Sequence, residues 1–166
     1  SLQKRVTDVY PLARIVHRLD MATSGIIVMA MHKPANQHLS DQFAQRKTQK
    51  RYFARVLGKM ESTEGEITAP LIVDWPNRPK QKVCHETGKA SLTRYKVISV
   101  DEHTTLVELH PVTGRSHQLR VHMLSIGHPI LGDRLYTDPD TRIGIERLWL
   151  HAAELGFYHP TSEKWM

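Results

Sequence analysis

The chain has 166 residues, of which 40% are hydrophobic and 24% charged, with a net charge of +6 and an isoelectric point near 9.6. That length accommodates one domain with a real core and excludes two ordinary ones. No apolar stretch approaches the roughly 20 residues of a membrane span, no secretory leader is recognisable, and the single cysteine, Cys84, cannot form an intramolecular disulfide, so a soluble protein of a reducing cytoplasm is expected.

The positive balance, which eleven histidines can augment, favours a polyanionic partner. Charge alone describes a solvated basic surface equally well.

Residues 1–16 are polar and mixed, and Pro11 discourages a long helix there. They read as a lead-in segment. His17-Arg18-Leu19-Asp20-Met21-Ala22-Thr23-Ser24-Gly25 then precedes an apolar run over residues 26–30, which is expected to be a buried strand. Asp20 at the entrance to such a strand is costly to desolvate, so it either holds an arginine or does chemistry.

Pro34, suited to a first turn, and Ala35, Leu39 and Phe43 at fourfold spacing predict a short helix ending near Arg46. Residues 51–58 alternate and stop at Gly58, the pattern of a strand. Residues 74–89 hold two prolines and no sustained periodicity, which predicts a long loop or extended arm. Its Trp75, Arg78, Lys80 and Lys82 offer the stacking surface and the cations that an RNA backbone uses; a plain connector is the other reading.

Residues 92–100 and 105–110 alternate as a hairpin that turns through residues 101–104. In residues 116–127, Ser116 is placed to cap a helix and Gly127 to end it. Those signals favour helix over the strand that the alternation of Leu119, Val121 and Met123 also permits. Residues 148–157 return as a strand closed by His159-Pro160. Strands outnumber helices and mostly follow one another, so the expected class is α+β with a largely antiparallel or mixed sheet.

The histidines invite a metal, but their spacing declines it: His117 and His122 are five apart, and neither His-Glu-x-x-His nor paired Cys-x-x-Cys occurs. His128 and His159, each before a proline, read as turn residues. Ser24 and Ser116 lie in no Gly-x-Ser-x-Gly elbow, Cys84 lies in a charged loop, and the glycine-rich phosphate and dinucleotide loops are absent. What survives is Asp20, Tyr52 and Arg120. An arginine beside a partly buried aspartate favours the ionised form that a nucleophile or base requires. On spacing alone, an ordinary ion pair and a packed tyrosine is the plainer reading.

Three separated segments carry a resemblance. His17-Arg18-Leu19-Asp20 through Thr23-Ser24-Gly25, Lys50-Arg51-Tyr52 with Ala54, Val56 and Gly58, and Gly114-Arg115-Ser116-His117-Gln118-Leu119-Arg120-Val121-His122 running on to Gly127-His128-Pro129-Ile130 and Gly132-Asp133 together resemble the RluA family of pseudouridine synthases. The resemblance implies the fold of that family, a mixed, largely antiparallel central sheet with flanking helices and loops.

It further implies an enzyme that detaches uracil from ribose, rotates it and rejoins it through carbon, with no metal or other cofactor. The uridine is flipped out of its stack at a cost of a few kcal/mol. By the resemblance Asp20 is the catalytic carboxylate, either adding covalently to the nucleoside or removing a ribose proton to give a glycal. Tyr52 contacts the target base and assists loss of the ring proton, and Arg120 pairs with Asp20.

Arg18 is expected to fill the space the base vacates, or to contact phosphate. Arg115, His117 and Leu119 of the third motif, the cluster Arg46, Lys47, Lys50 and Arg51, and Trp75, Arg78, Lys80 and Lys82 are expected to bind substrate. Residues 74–84 with 86–89 are similar to the family's founding member, a dual-specificity enzyme of large-subunit ribosomal RNA and transfer RNA. The expected partners are therefore 23S ribosomal RNA and the anticodon stem-loop of tRNA, bound by a monomer.

Family members carry a strand and a Lys-Pro-x-Gly segment before the first motif and a strand after the final His-Pro. Residues 1–166 are thus expected to be one catalytic domain shortened at both ends. The rival readings are a non-catalytic RNA-binding protein, a member confined to ribosomal RNA, and a histidine-dependent ribonuclease.

Overall fold

Along the chain, the computed structural model, which describes residues 1–166, runs α1 (Leu2–Thr7), β1 (Arg14–Ile15), β2 (Ser24–Gly25), β3 (Met29–Ala30), α2 (Lys33–Ala44), β4 (Gln49–Leu57), β5 (Glu64–Ile67), β6 (Leu71–Val73), β7 (Gln81–Val83), β8 (Thr93–Val100), β9 (Thr104–Pro111), α3 (Gln118–Ser125) and β10 (Leu150–Gly156). Six strands form the central sheet in the order β2-β10-β4-β9-β8-β5, antiparallel throughout except for the parallel pair β2 and β10. The α+β class with a mixed, largely antiparallel sheet is what forms.

Alternation along the strands decides which face is covered. On β4, Ala54 and Val56 are buried beside Val107 and Leu109 of β9, and Leu119 and Met123 of α3 close over them with Ile130 and Leu150. Fully burying one such aliphatic side chain contributes about 1.5–3 kcal/mol. This core fixes α3 to the sheet and so fixes the first turn of that helix over the middle strands.

The helix ends as its glycine suggests. Gly127, at φ +84°, lets its own N–H reach Leu124 O at 2.9 Å and that of His128 reach Met123 O at 3.0 Å, a Schellman closure. Its start differs from expectation. The cap position is His117, in the left-handed region at φ 53°, and Ser116 makes no capping hydrogen bond.

Two further expectations are corrected. The apolar run 26–30 is not one buried strand: β2 ends at Gly25, Ile26 is 50% exposed, and the chain rejoins regular structure only at β3, paired with β1. The cause is Gly25, at φ +127° and so close to β10 that a Cβ would stand 2.1 Å from Ala152 O, which turns the chain off the sheet. Residues 74–89 are not a structureless arm either. β6 and β7 pair as a hairpin around a 3-10 turn at Trp75–Asn77, short strands that carry too few residues to show a period.

The helix foreseen after Pro34 is α2, with Ala35 and Leu39 packed on Ala30. Gln42 on its inner face donates to Tyr158 O at 2.8 Å and accepts the Tyr158 N–H at 2.7 Å, fastening the helix to the chain's final segment.

Candidate active site

The loop between β1 and β2 presents Asp20. A turn closes it, with the Thr23 N–H donating to Asp20 O at 2.9 Å. His17 steadies the approach by stacking on Phe43, ring centroids 4.6 Å apart, and by accepting the Val28 N–H on Nε2 at 3.0 Å. Burial and the nearby charge of Lys50 pull the His17 pKa down to about 4, so the ring is neutral, and burial also lowers that of Lys50.

Arg120 enters from the first turn of α3 and is only 5% exposed. Its Nε and Nη2 donate to the two oxygens of Asp133, each at 2.7 Å, and its Nη1 lies 3.9 Å from Asp20 Oδ2. The expected pairing with Asp20 is therefore the longer of two, and the bidentate partner is Asp133, 1% exposed. Geometry explains the preference, since a planar guanidinium fork matches a carboxylate placed edge-on. Burial opposes the Arg120 charge, but the Asp133 hydrogen bonds and the charges of Asp133 and Asp20 outweigh it and raise its pKa.

Tyr52 comes from β4, between Leu109 of β9 and Ala152 of β10. Burial, and then the negative charge of Asp20, push its pKa up to about 12. His117 is held down by burial; Asp20 opposes this and Arg120 adds to it. The structure thus gathers Tyr52, Arg120 and His117 around the partly exposed Asp20 carboxylate, Arg120 being the fixed cation, an arrangement suited to a nucleophile or a base.

Other candidates fall elsewhere. Leu119 is 7% exposed within the core, so it packs rather than contacts substrate. Arg51, adjacent to Tyr52 and therefore on the opposite face of β4, is ion-paired with Glu154 and with Glu108, so it is not a free cation for phosphate. Arg115 donates from Nε to Ala90 O at 3.1 Å. Arg18 and Arg46 are exposed. Lys50 approaches the third motif, with Nζ 3.5 Å from where a Cβ on Gly114 would stand.

On the hairpin, Trp75 is 63% exposed and the Arg78 guanidinium lies 4.6 Å over its ring. Lys80 is half-buried, and Lys82 is exposed with Asp74 4.0 Å away.

Two residues without an expected role complete the site. Asp133, quoted only as part of a motif, also accepts the N–H groups of Leu135 and Tyr136 at 3.0 and 3.2 Å. Tyr136, which no spacing signal marks, lays its ring 5.1 Å from the Arg120 guanidinium. No group of three or more His, Cys, Asp or Glu side chains is placed to hold a metal ion, and no helix is long and apolar enough to cross a membrane.

The family described as RNA pseudouridylate synthase matches residues 2–125. The dual-specificity RNA pseudouridine synthase RluA of Vibrio cholerae is 57% identical over 162 residues, an alignment covering 98% of this chain and 66% of that protein. Those of Yersinia pestis and Escherichia coli K12 are 56% and 55% identical over 161 residues, 96% of this chain and 78% and 74% of theirs. The chain thus spans between 66% and 78% of the length of these relatives. Human RNA Pseudouridylate Synthase Domain Containing 1 superimposes with a TM-score of 0.87 at 30% identity, over 100% of this chain and 71% of that one. For Human RNA Pseudouridylate Synthase Domain Containing 4 the TM-score is 0.76 at 27% identity, over 92% and 74%.

Proposed function

The chain belongs to the RNA pseudouridylate synthases and, among them, to the RluA family, and from that premise we propose that it isomerises specific uridines in 23S ribosomal RNA and in the anticodon stem-loop of tRNA. The observation that carries the proposal is the Asp20 carboxylate 3.9 Å from the buried Arg120 guanidinium, with Tyr52 within reach of its charge. All three motifs meet there.

In this reading the uridine leaves its stack and Asp20 either adds to the nucleoside or takes a ribose proton. The glycosidic C–N bond breaks, the uracil turns, and a C–C bond replaces it; Asp20 is released from its adduct or returns the ribose proton, the attacking ring carbon gives up its proton to solvent and the freed ring nitrogen takes one up, the backbone staying whole. Arg120 stabilises the negative charge of Asp20 before the carboxylate reacts and again as it is released. Tyr52, kept a phenol by a pKa of about 12, supplies a stacking face for the base rather than the base that accepts the ring proton. Arg18 occupies the vacated position. Arg46, Lys50, Arg78, Lys80 and Lys82 hold phosphates, and that binding energy offsets the cost of flipping. The protein needs no metal or cofactor, acts as a monomer in the cytoplasm, and carries its chemistry in one domain over residues 1–166.

The test is pseudouridine content and chain length of 23S and tRNA transcripts incubated with the protein. Pseudouridine in RNA of unaltered length is the expected result. Binding without product would leave an RNA-binding protein, and shortened RNA a ribonuclease.

A further inference from the structure

The β6–β7 hairpin and the catalytic helix meet at one side chain. The Tyr136 hydroxyl accepts the backbone N–H of Gln81 at 2.8 Å and shares a 2.7 Å hydrogen bond with His117 Nδ1. The tyrosine is itself held in place by its neighbours. Its N–H donates to Asp133, Thr137 closes the same turn by donating to Asp133 O from both its N–H and its hydroxyl at 3.1 and 2.6 Å, and its ring faces Arg120. Gln81 lies at the start of β7, directly after Lys80 and before Lys82, so its amide ties that stretch of the hairpin to the catalytic side.

We infer that Tyr136 is a positioning residue for RNA: its hydroxyl latches the cationic hairpin to the N-terminus of α3, so that Arg78, Lys80 and Lys82 stand in fixed register with Asp20 before RNA arrives. The inference rests on the proposed function for the identity of the ligand. The chemistry is that of one phenolic oxygen used twice. It accepts from an amide on the hairpin and shares its second hydrogen bond with an imidazole on the catalytic side, donating to a bare Nδ1 or accepting from a protonated one according to the tautomer of His117. Burial keeps both partners neutral, raising the Tyr136 pKa to about 12 and lowering that of His117. Fixing the hairpin in advance removes an ordering cost from binding; Leu71 and Lys89 exchange backbone hydrogen bonds of 3.0 and 2.8 Å and the Cys84 N–H donates to Pro70 O at 2.9 Å at the hairpin's base, so the latch acts at the Gln81 end, beside Lys80 and Lys82.

Tyr136→Phe tests this with least disturbance, because it retains the ring against Arg120 and deletes only the hydroxyl. Three readouts are taken: exchange of the Gln81 amide proton, the Kd for a fluorescent tRNA stem-loop by anisotropy, and kcat for pseudouridine formation. Faster exchange at Gln81 and a Kd raised about three- to tenfold, as expected for one lost hydrogen bond, are expected, with kcat lowered by a smaller factor than Kd is raised. A second variant, Lys80→Ala with Lys82→Ala, removes the cations that the latch positions; Tyr136→Phe added to it should raise Kd by less than twofold more. Unchanged exchange and Kd in Tyr136→Phe would overturn the inference, as would a loss confined to kcat or full additivity of the variants. If the unaltered protein binds the stem-loop but forms no pseudouridine, the proposed function falls, while exchange and Kd still decide the latch.

Discussion

Two carboxylates draw on the Arg120 guanidinium, and they draw unequally: Asp133 takes two hydrogen bonds of 2.7 Å, while Asp20 stands 3.9 Å away. The tight partner is therefore structural and the loose one remains free to meet a substrate. Asp133→Ala would leave a buried cation with only the distant Asp20 beside it, and breaking one side of a buried pair costs about 3–5 kcal/mol. Urea unfolding should show a loss of that size; less than about 1 kcal/mol would mean that Arg120 finds another partner. His17 makes a second residue-scale prediction. Its pKa is about 4 in the folded chain and near the ordinary 6.5 when unfolded, so between those values the unfolded state binds more protons and stability rises with pH. The contribution is complete above pH 6.5 and disappears as the pH falls toward 4. Urea midpoints at pH 7 and 4.5 should differ less in His17→Gln than in the parent.

Elements with long, strongly patterned sequences were legible, and those built on few residues were not. β4, β8, β9 and α2 follow from alternation or fourfold spacing, because each offers enough positions to show its period. β5, β6 and β7, of four, three and three residues, show none, so a hairpin was read as a loop. The strand foreseen after Asp20 failed for a different reason: Ile26 to Ala30 are apolar, but Gly25 passes so close to β10 that the backbone must turn away. Gly25→Ala should accordingly destabilise the protein by at least about 2 kcal/mol, read as a lowered Tm; an unchanged Tm would show that β2 can separate from β10 at little cost. At the same scale, Lys80→Ala with Lys82→Ala should reduce the slope of log K against log salt for RNA by about 0.7–0.9 per cation removed. An unchanged slope would take the hairpin out of the interface.

At the scale of the whole molecule, the site is an outcome of topology. Asp20 lies on a loop leading to the sheet's edge strand, Tyr52 on a central strand and Arg120 on a helix packed over that strand, so no local pattern could place them together. Their identities were readable because each sits in a long motif with a family resemblance. Their geometry was not, and Asp133 and Tyr136 show why: a residue whose work is to hold another side chain leaves no periodic or compositional trace. The basic balance, a net +6, favours a polyanionic partner whatever the carboxylate does, so the chemistry has to be tested at Asp20 itself. The direct measurement is pseudouridine formation in tRNA and 23S transcripts by Asp20→Asn beside the parent protein. The parent should form pseudouridine and the variant should lose about a thousandfold or more of the rate while binding RNA within threefold of the parent. Product from Asp20→Asn at the parent rate would contradict the account.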